Sequence, residues 1–206
     1  MVNGNKSPFL DKNSEIKIKV GGYLPHWFQD GKMQYVTFRL FDSLPKNKID
    51  ELKECIAQFE KFHPKPWTLK TKKEYKSRFG HIREELLHQG YGSCLLANSK
   101  VREIVSSAIL YKDNQDYYVY AYVIMPNHIH LLIQPFERKE LEKILHSIKL
   151  YSARKINMFL GRKGRLWCKE SYDHIVRDYD EMKHCYSYII NNPKNLPPNS
   201  FTLYTT

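Results

Sequence analysis

Residues 122–135 read "YVIMPNHIHLLIQP", an apolar, strand-like run broken by Pro126-Asn127 and carrying two histidines just after the break. So short a Pro-Asn link suits a tight turn, so "DYYVYAYVIM" (116–125) and "HIHLLIQ" (128–134) form an antiparallel pair. Alternate residues of a strand share a face. His128, His130, Leu132 and Gln134 therefore point one way, and Ile129, Leu131 and Ile133 the other. Imidazoles two residues apart on a rigid strand can converge on one cation, and burying them there costs desolvation unless something compensates. Two ligands leave such a site incomplete, so a third donor has to come from elsewhere in the chain.

Working outward, "QYVTFRLF" (34–41) alternates Val36, Phe38 and Leu40 against Tyr35, Thr37, Arg39 and Phe41, the pattern of a half-buried strand. "SLPKNKIDELKECIAQFEKF" (43–62) predicts a helix with Ile49, Leu52, Ile56 and Phe59 inward. Residues 63–97, basic and broken by prolines and glycines, read as an inserted section with short helices. "NSKVREIVSSAILYK" (98–112) predicts a helix capped by Ser99. "RKELEKILHSIKLYSARKINMFLG" (138–161) is a long amphipathic helix with Leu141, Ile144, Leu145 and Ile148 inward, leaving Lys143, Lys149, Arg154 and Lys155 to solvent or phosphate. "DHIVRD" (173–178) is a short strand, and "YDEMKHCYSYIINN" (179–192) a last helix stopped by Pro193. Without the insertion the order is strand, helix, strand, strand, helix, strand, then an extra helix. That is the order of a ferredoxin-like α+β fold, an antiparallel sheet with helices on one face. Residues 1–20 form a polar arm, "GGYLPHW" (21–27) a turn-rich entry, 21–196 one domain and 197–206 a tail.

The 206-residue chain carries 33 Lys+Arg against 22 Asp+Glu, a net charge of +11, which favours a polyanionic partner. Cys55, Cys94, Cys168 and Cys185 are scattered without a CxxC pair, so neither a zinc ribbon nor a disulfide scaffold is expected. The N-terminal residues lack a signal peptide's apolar segment, and no apolar run suits a bilayer, so a cytoplasmic protein without a membrane partner is expected, nucleoid-associated if it binds DNA.

"VIMPNHIHLLI" resembles the His-hydrophobe-His motif of single-tyrosine HUH transposases, most closely the REP-associated tyrosine transposases. "GYLPHW" with "YVTFRLFDSLP" resembles that family's N-terminal signature, and "GRLWCKESYDHIVRD" with "YSYIINNPKN" its C-terminal one, over roughly residues 21–196. The resemblance implies metal-dependent cleavage and rejoining of single-stranded DNA at hairpin-forming repeats, through a 5′-phosphotyrosine. It implies Tyr188 as nucleophile, His128, His130 and Asn192 as ligands, and Mg²⁺ or Mn²⁺ as cofactor. Helical spacing independently puts His184, Tyr188 and Asn192 on one face. Pro193 disfavours helical geometry at Asn192, which keeps Asn191 as an alternative donor. Tyr186 and Tyr151 are the rival nucleophiles. A descendant that binds DNA hairpins without cutting is the alternative function, and a monomer or a homodimer both fit.

Single strands are held by cations and aromatic faces. Arg162, Lys163 and Arg165 in the glycine loop "GRKGRLW" (161–167), with Arg39, Lys149, Arg154, His174 and Arg177, are the candidate DNA contacts. Trp167 reads as core.

Overall fold

A computed structural model describes residues 7–20 and 25–206; part of the polar arm and of the turn-rich entry, residues 1–6 and 21–24, lies outside the described residues. In chain order the strands are β1 (Lys17–Val20), β2 (Pro25–Phe28), β3 (Gln34–Arg39), β4 (Tyr117–Ile124), β5 (His128–Pro135), β6 (Tyr172–Ile175) and β7 (Thr202–Thr205). The helices are α1 (Lys46–Phe62), α2 (Leu69–His88), α3 (Ser99–Leu110), α4 (Leu141–Phe159) and α5 (Tyr179–Asn191).

β3, β4, β5 and β6 form an antiparallel sheet in the order β6-β3-β5-β4, with β7 added beside β4 and β1 and β2 paired separately. The ferredoxin-like order is therefore present, with α3 and α4 as its two sheet-covering helices. They lay Val101, Val105, Ile109, Leu141, Ile144 and Ile148 on Val36, Phe38, Ile129, Leu131 and Ile133. Trp167 joins this core as expected, its ring 5.1 Å from that of Phe38 and its indole N–H donating to the Ser152 hydroxyl.

The other sheet face is covered too. Cys185 and Ile189 of α5 pack over Tyr35, Ala121, Val123 and Leu132. β3 is consequently buried on both faces rather than half-buried: Tyr35 and Thr37 are polar enough to look solvent-facing, yet α5 lies over them. This second core also takes in Phe9, and the Leu10 N–H donates to the Val176 carbonyl, so this stretch of the polar arm is seated on the domain.

Three further elements differ from the sequence reading. The section 63–97 is dominated by one 20-residue helix, α2, capped by the Thr68 side chain, with a single short 3-10 turn at Leu95–Ala97, instead of several short helices. α1 packs on α2 through Phe59, Trp67, Tyr75 and Phe79, not on the sheet, so only Phe59 of its apolar stripe is buried. The cap of α3 is Asn98, whose Oδ1 accepts from the Lys100 and Val101 amides, with Ser99 as the first helical residue. The C-terminal tail contributes β7. The buried Arg102 holds the approach to it by donating to the Leu96, Ala97 and Asn199 carbonyls and the Thr202 hydroxyl.

Candidate active site

The two histidines of β5 sit at the middle of the sheet, on the face under α5. Backbone register opposes Thr37 to His130 and Arg39 to His128, and both imidazoles are buried. Asn127, from the Pro-Asn turn, fixes the first ring. Its Nδ2 donates to the Leu87 and Tyr91 carbonyls, which leaves Oδ1 to accept from His128 Nδ1 at 2.7 Å. With the proton on Nδ1, the His128 Nε2 lone pair faces the site. His130 Nδ1 lies 2.8 Å from the Tyr35 hydroxyl and 2.9 Å from that of Thr37. The two Nε2 atoms stand 3.1 Å apart.

Two helices bring matching stripes over this pair. On α5, His184 and Tyr188 are four apart, with Asn192 one turn further. On α2, Gly80, Glu84 and His88 repeat that spacing. The Tyr188 hydroxyl donates to Glu84 Oε2 at 2.9 Å, and His88 Nε2 lies 3.1 Å from Asn192 Oδ1, so the stripes run parallel and in register. Glu84 Oε2 is also 3.5 Å from His130 Nε2, and the Tyr188 ring centroid is 5.2 Å from that of His130. One ligand atom each from Glu84, His128 and His130 lie within 4.8 Å of one another. A carboxylate and two imidazole lone pairs converging this closely suit a divalent cation of intermediate hardness.

Pro193 does not bend Asn192 away: its backbone is helical at φ −56°, ψ −44°, and Asn191 is exposed. Asn192 Nδ2 is buried without a hydrogen-bond partner. Exchanging the amide oxygen and nitrogen, which are alike in shape, would let Nδ2 donate to His88 and free Oδ1. Of the rival tyrosines, Tyr186 packs into the second core and Tyr151 is exposed on α4, which lies across the sheet from the histidines.

Burial, then the Glu84 charge and its hydrogen bond, hold the Tyr188 phenol well above its usual range, while Asn192 acts the other way. Burial, then the neighbouring His130, keeps His128 well below the ordinary histidine value; burial, then His88, takes His130 down to about 3. Both are neutral, ligand-ready imidazoles at pH 7. A histidine in the unfolded chain titrates near ~6.5, so below that pH the unfolded state takes up protons that the folded state refuses. Stability is therefore full above ~6.5 and falls as pH drops toward about 3. Each unit costs about 1.4 kcal/mol per histidine. Metal-free protein will lose about 5 °C of melting temperature between pH 7 and pH 5 from His130 alone. Differential scanning fluorimetry will show a shallower pH slope in His130→Gln.

The expected DNA contacts divide. Arg154, Lys163 and Arg165 are exposed, Arg162 is partly so, and the Arg165 guanidinium lies 5.0 Å from the Phe41 ring centroid. Lys149 departs from the expectation of a solvent-facing cation. Its ammonium donates to the Cys168 and Lys169 carbonyls and the Ser171 hydroxyl, and burial lowers its pKa to about 8. Arg39 is mostly buried and donates to the Leu40 carbonyl and the Ser43 hydroxyl. Arg177 is paired with Glu181, and His174 lies 3.6 Å from the same carboxylate.

Glu84, His88 and Asn127 escape the sequence reading. The first two left a signal, the four-residue spacing in "GHIREELLH" (80–88), but only once that stretch is known to be helical. Asn127 reads as a turn residue, and its contacts with Leu87 and Tyr91 join segments far apart in sequence.

Residues 94–192 match the family model described as "Transposase IS200 like". That span contains His128, His130, Tyr188 and Asn192 but not α2. Two solved structures are similar. One is a REP-associated tyrosine transposase bound to a REP hairpin, 14% identical, covering 85% of this chain and 73% of its own, with a TM-score of 0.41. The other is a candidate transposase from Deinococcus radiodurans R1, 14% identical, covering 84% of this chain and 95% of its own, with a TM-score of 0.33. No curated protein matches the chain.

Proposed function

We propose, from the match of residues 94–192 to the IS200-like transposase model and from the site's geometry, that the chain is a metal-dependent single-stranded DNA endonuclease and strand transferase acting at hairpin-forming repeats. The observation that carries this reading is the Tyr188 hydroxyl, hydrogen-bonded to the same Glu84 carboxylate that stands beside His130 Nε2. Nucleophile and candidate ligands meet at one point.

Tyr188 Oη attacks the scissile phosphorus, the bond to the 3′ oxygen breaks, and a 5′-phosphotyrosine and a free 3′-hydroxyl result. The ester keeps the bond energy, so the reverse attack by a 3′-hydroxyl rejoins strands without ATP. Glu84 Oε2 receives the phenol's hydrogen bond and is placed to take its proton. Asn127, Tyr35 and Thr37 hold the two imidazoles in orientation. His128, His130 and Glu84 would hold a divalent cation, with Asn192 as a further donor. Such a cation supplies Lewis-acid polarisation of the phosphate. Two imidazoles with one carboxylate suit Mn²⁺ better than Mg²⁺, which prefers an all-oxygen shell.

The direct test is a denaturing gel of protein incubated with Mn²⁺ and hairpin DNA bearing single-stranded flanks. A band of covalent protein–DNA adduct supports the reading; hairpin binding without any adduct favours the non-cleaving descendant. The geometry also makes a stoichiometric prediction. His128, His130, Glu84 and Tyr188 of one chain are already together, so a mixture of Tyr188→Phe and His130→Ala proteins will form no adduct. Recovery of roughly a quarter of the wild-type yield in an equal mixture, the share of intact composite sites after random pairing, would mean that the tyrosine acts on a partner chain.

A further inference from the structure

A groove of about 570 Å³ opens beside the reacting atoms, between α2 and α5. Glu84 and Tyr188 border it on the catalytic side, and Tyr35, Tyr172 and His174 of β3 and β6 also line it. In the parallel register of the two helices, Glu84 meets Tyr188 and His88 meets Asn192, so the pair one turn earlier is Gly80 and His184. Both line the groove, and a Cβ added to Gly80 would meet nothing within 4 Å. Glycine inside a helix costs stability relative to alanine. Gly80 has no positive φ and no close neighbour to explain it. What its missing side chain provides is room in the groove.

The lining says what fits that room. Carboxylates of Glu84, Asp178, Asp180 and Glu181 border it against the two guanidinium groups of Arg83 and Arg177, and Arg177 is already held by Glu181. The acidic excess disfavours a phosphate inside and leaves Asp178 and Asp180 to offer hydrogen-bond acceptors. The His174 ring lies 5.4 Å from Tyr35 and 5.7 Å from Tyr172, and the Arg83 guanidinium 5.9 Å from the Tyr172 centroid. Aromatic faces and a guanidinium suit a flat, uncharged heteroaromatic ring, and carboxylates accept from an exocyclic amino group. We propose that this groove receives the unpaired nucleobase next to the scissile phosphate, with Tyr172 and Arg83 as its platform and a preference for adenine, cytosine or guanine over thymine. The assignment rests on the DNA-cleaving function proposed above.

The test uses hairpin DNA with randomised single-stranded flanks. In one arm, flanks captured in the wild-type covalent adduct with Mn²⁺ are sequenced. In the other, flanks retained by filter binding to Tyr188→Phe protein are sequenced, which requires no cleavage. Thymine will be depleted at one position beside the cut. Gly80→Leu and Tyr172→Ala, each alone and in the Tyr188→Phe background, will level that position and lower adduct yield or retention by about tenfold, the scale of one lost stacking contact. Gly80→Ala will raise the melting temperature by about 2–4 °C, a check that α2 accepts side chains there. A groove-dependent preference in the binding arm without any adduct would retain this inference and sink the cleavage reading. A preference that survives both Gly80→Leu and Tyr172→Ala, or no preference at any flank position in either arm, overturns it.

Discussion

Tyr188→Phe protein will form no covalent DNA adduct, a loss on the order of 10⁴-fold or more, as removal of a nucleophile causes elsewhere. The phenylalanine keeps the ring that borders the groove and lies against His130 and Tyr35, and removes only the hydroxyl that donates to Glu84. Tyr188 is 36% exposed, so losing that one hydrogen bond will cost about 1 kcal/mol of stability or less. Hairpin binding will persist, which separates a chemical defect from an unfolded protein. Tyr151→Phe and Tyr186→Phe are the matched controls and will leave the adduct in place. Tyr151 sits on the helix across the sheet, and Tyr186 turns toward the second core. An adduct of undiminished yield from Tyr188→Phe would remove Tyr188 from the nucleophile's role.

What could be read from sequence follows from how local each signal is. The β4–β5 hairpin, the placing of His128 and His130 on one face and the tyrosine-bearing helix depend on periodicity within a few residues, and a strand or helix repeats whatever lies beyond it. β3 reads as half-buried because the helix that covers Tyr35 and Thr37 lies some 150 residues later in the chain. Lys149 has the position of a surface cation on an amphipathic helix, and only the return of the chain at Cys168–Ser171 surrounds its ammonium with acceptors. Glu84 was hidden for a related reason. Its section looks irregular, with two prolines and several glycines, but the prolines precede α2 and two of the glycines follow it, so the helix between them runs unbroken, with Gly80 inside it. The site is thus half local pattern and half long-range packing, and the second half supplies the candidate carboxylate.

Removing the metal tests that division. EDTA will take adduct formation to background and Mn²⁺ will restore it, while hairpin binding changes less because it rests on the basic surface. His128→Ala and His130→Ala will each cost more than the about 10–100-fold that loss of an outer-shell partner costs at a metal centre. Glu84 and Asn192 then separate by their response to metal. If Glu84 completes the centre, Glu84→Gln keeps the side chain's size and its hydrogen bond to Tyr188 but removes the charge that attracts the cation. The Mn²⁺ concentration for half-maximal adduct will rise by about 10–100-fold, and the rate of adduct formation at saturating Mn²⁺ will stay below wild type because an amide cannot take the Tyr188 proton. Asn192→Ala will then shift that midpoint less, because its amide oxygen is neutral and held by His88 in the resting arrangement. The reverse order, a large shift for Asn192→Ala and none for Glu84→Gln, would return the third position to the tyrosine helix. Glu84 would then be left as the acceptor of the Tyr188 hydroxyl alone.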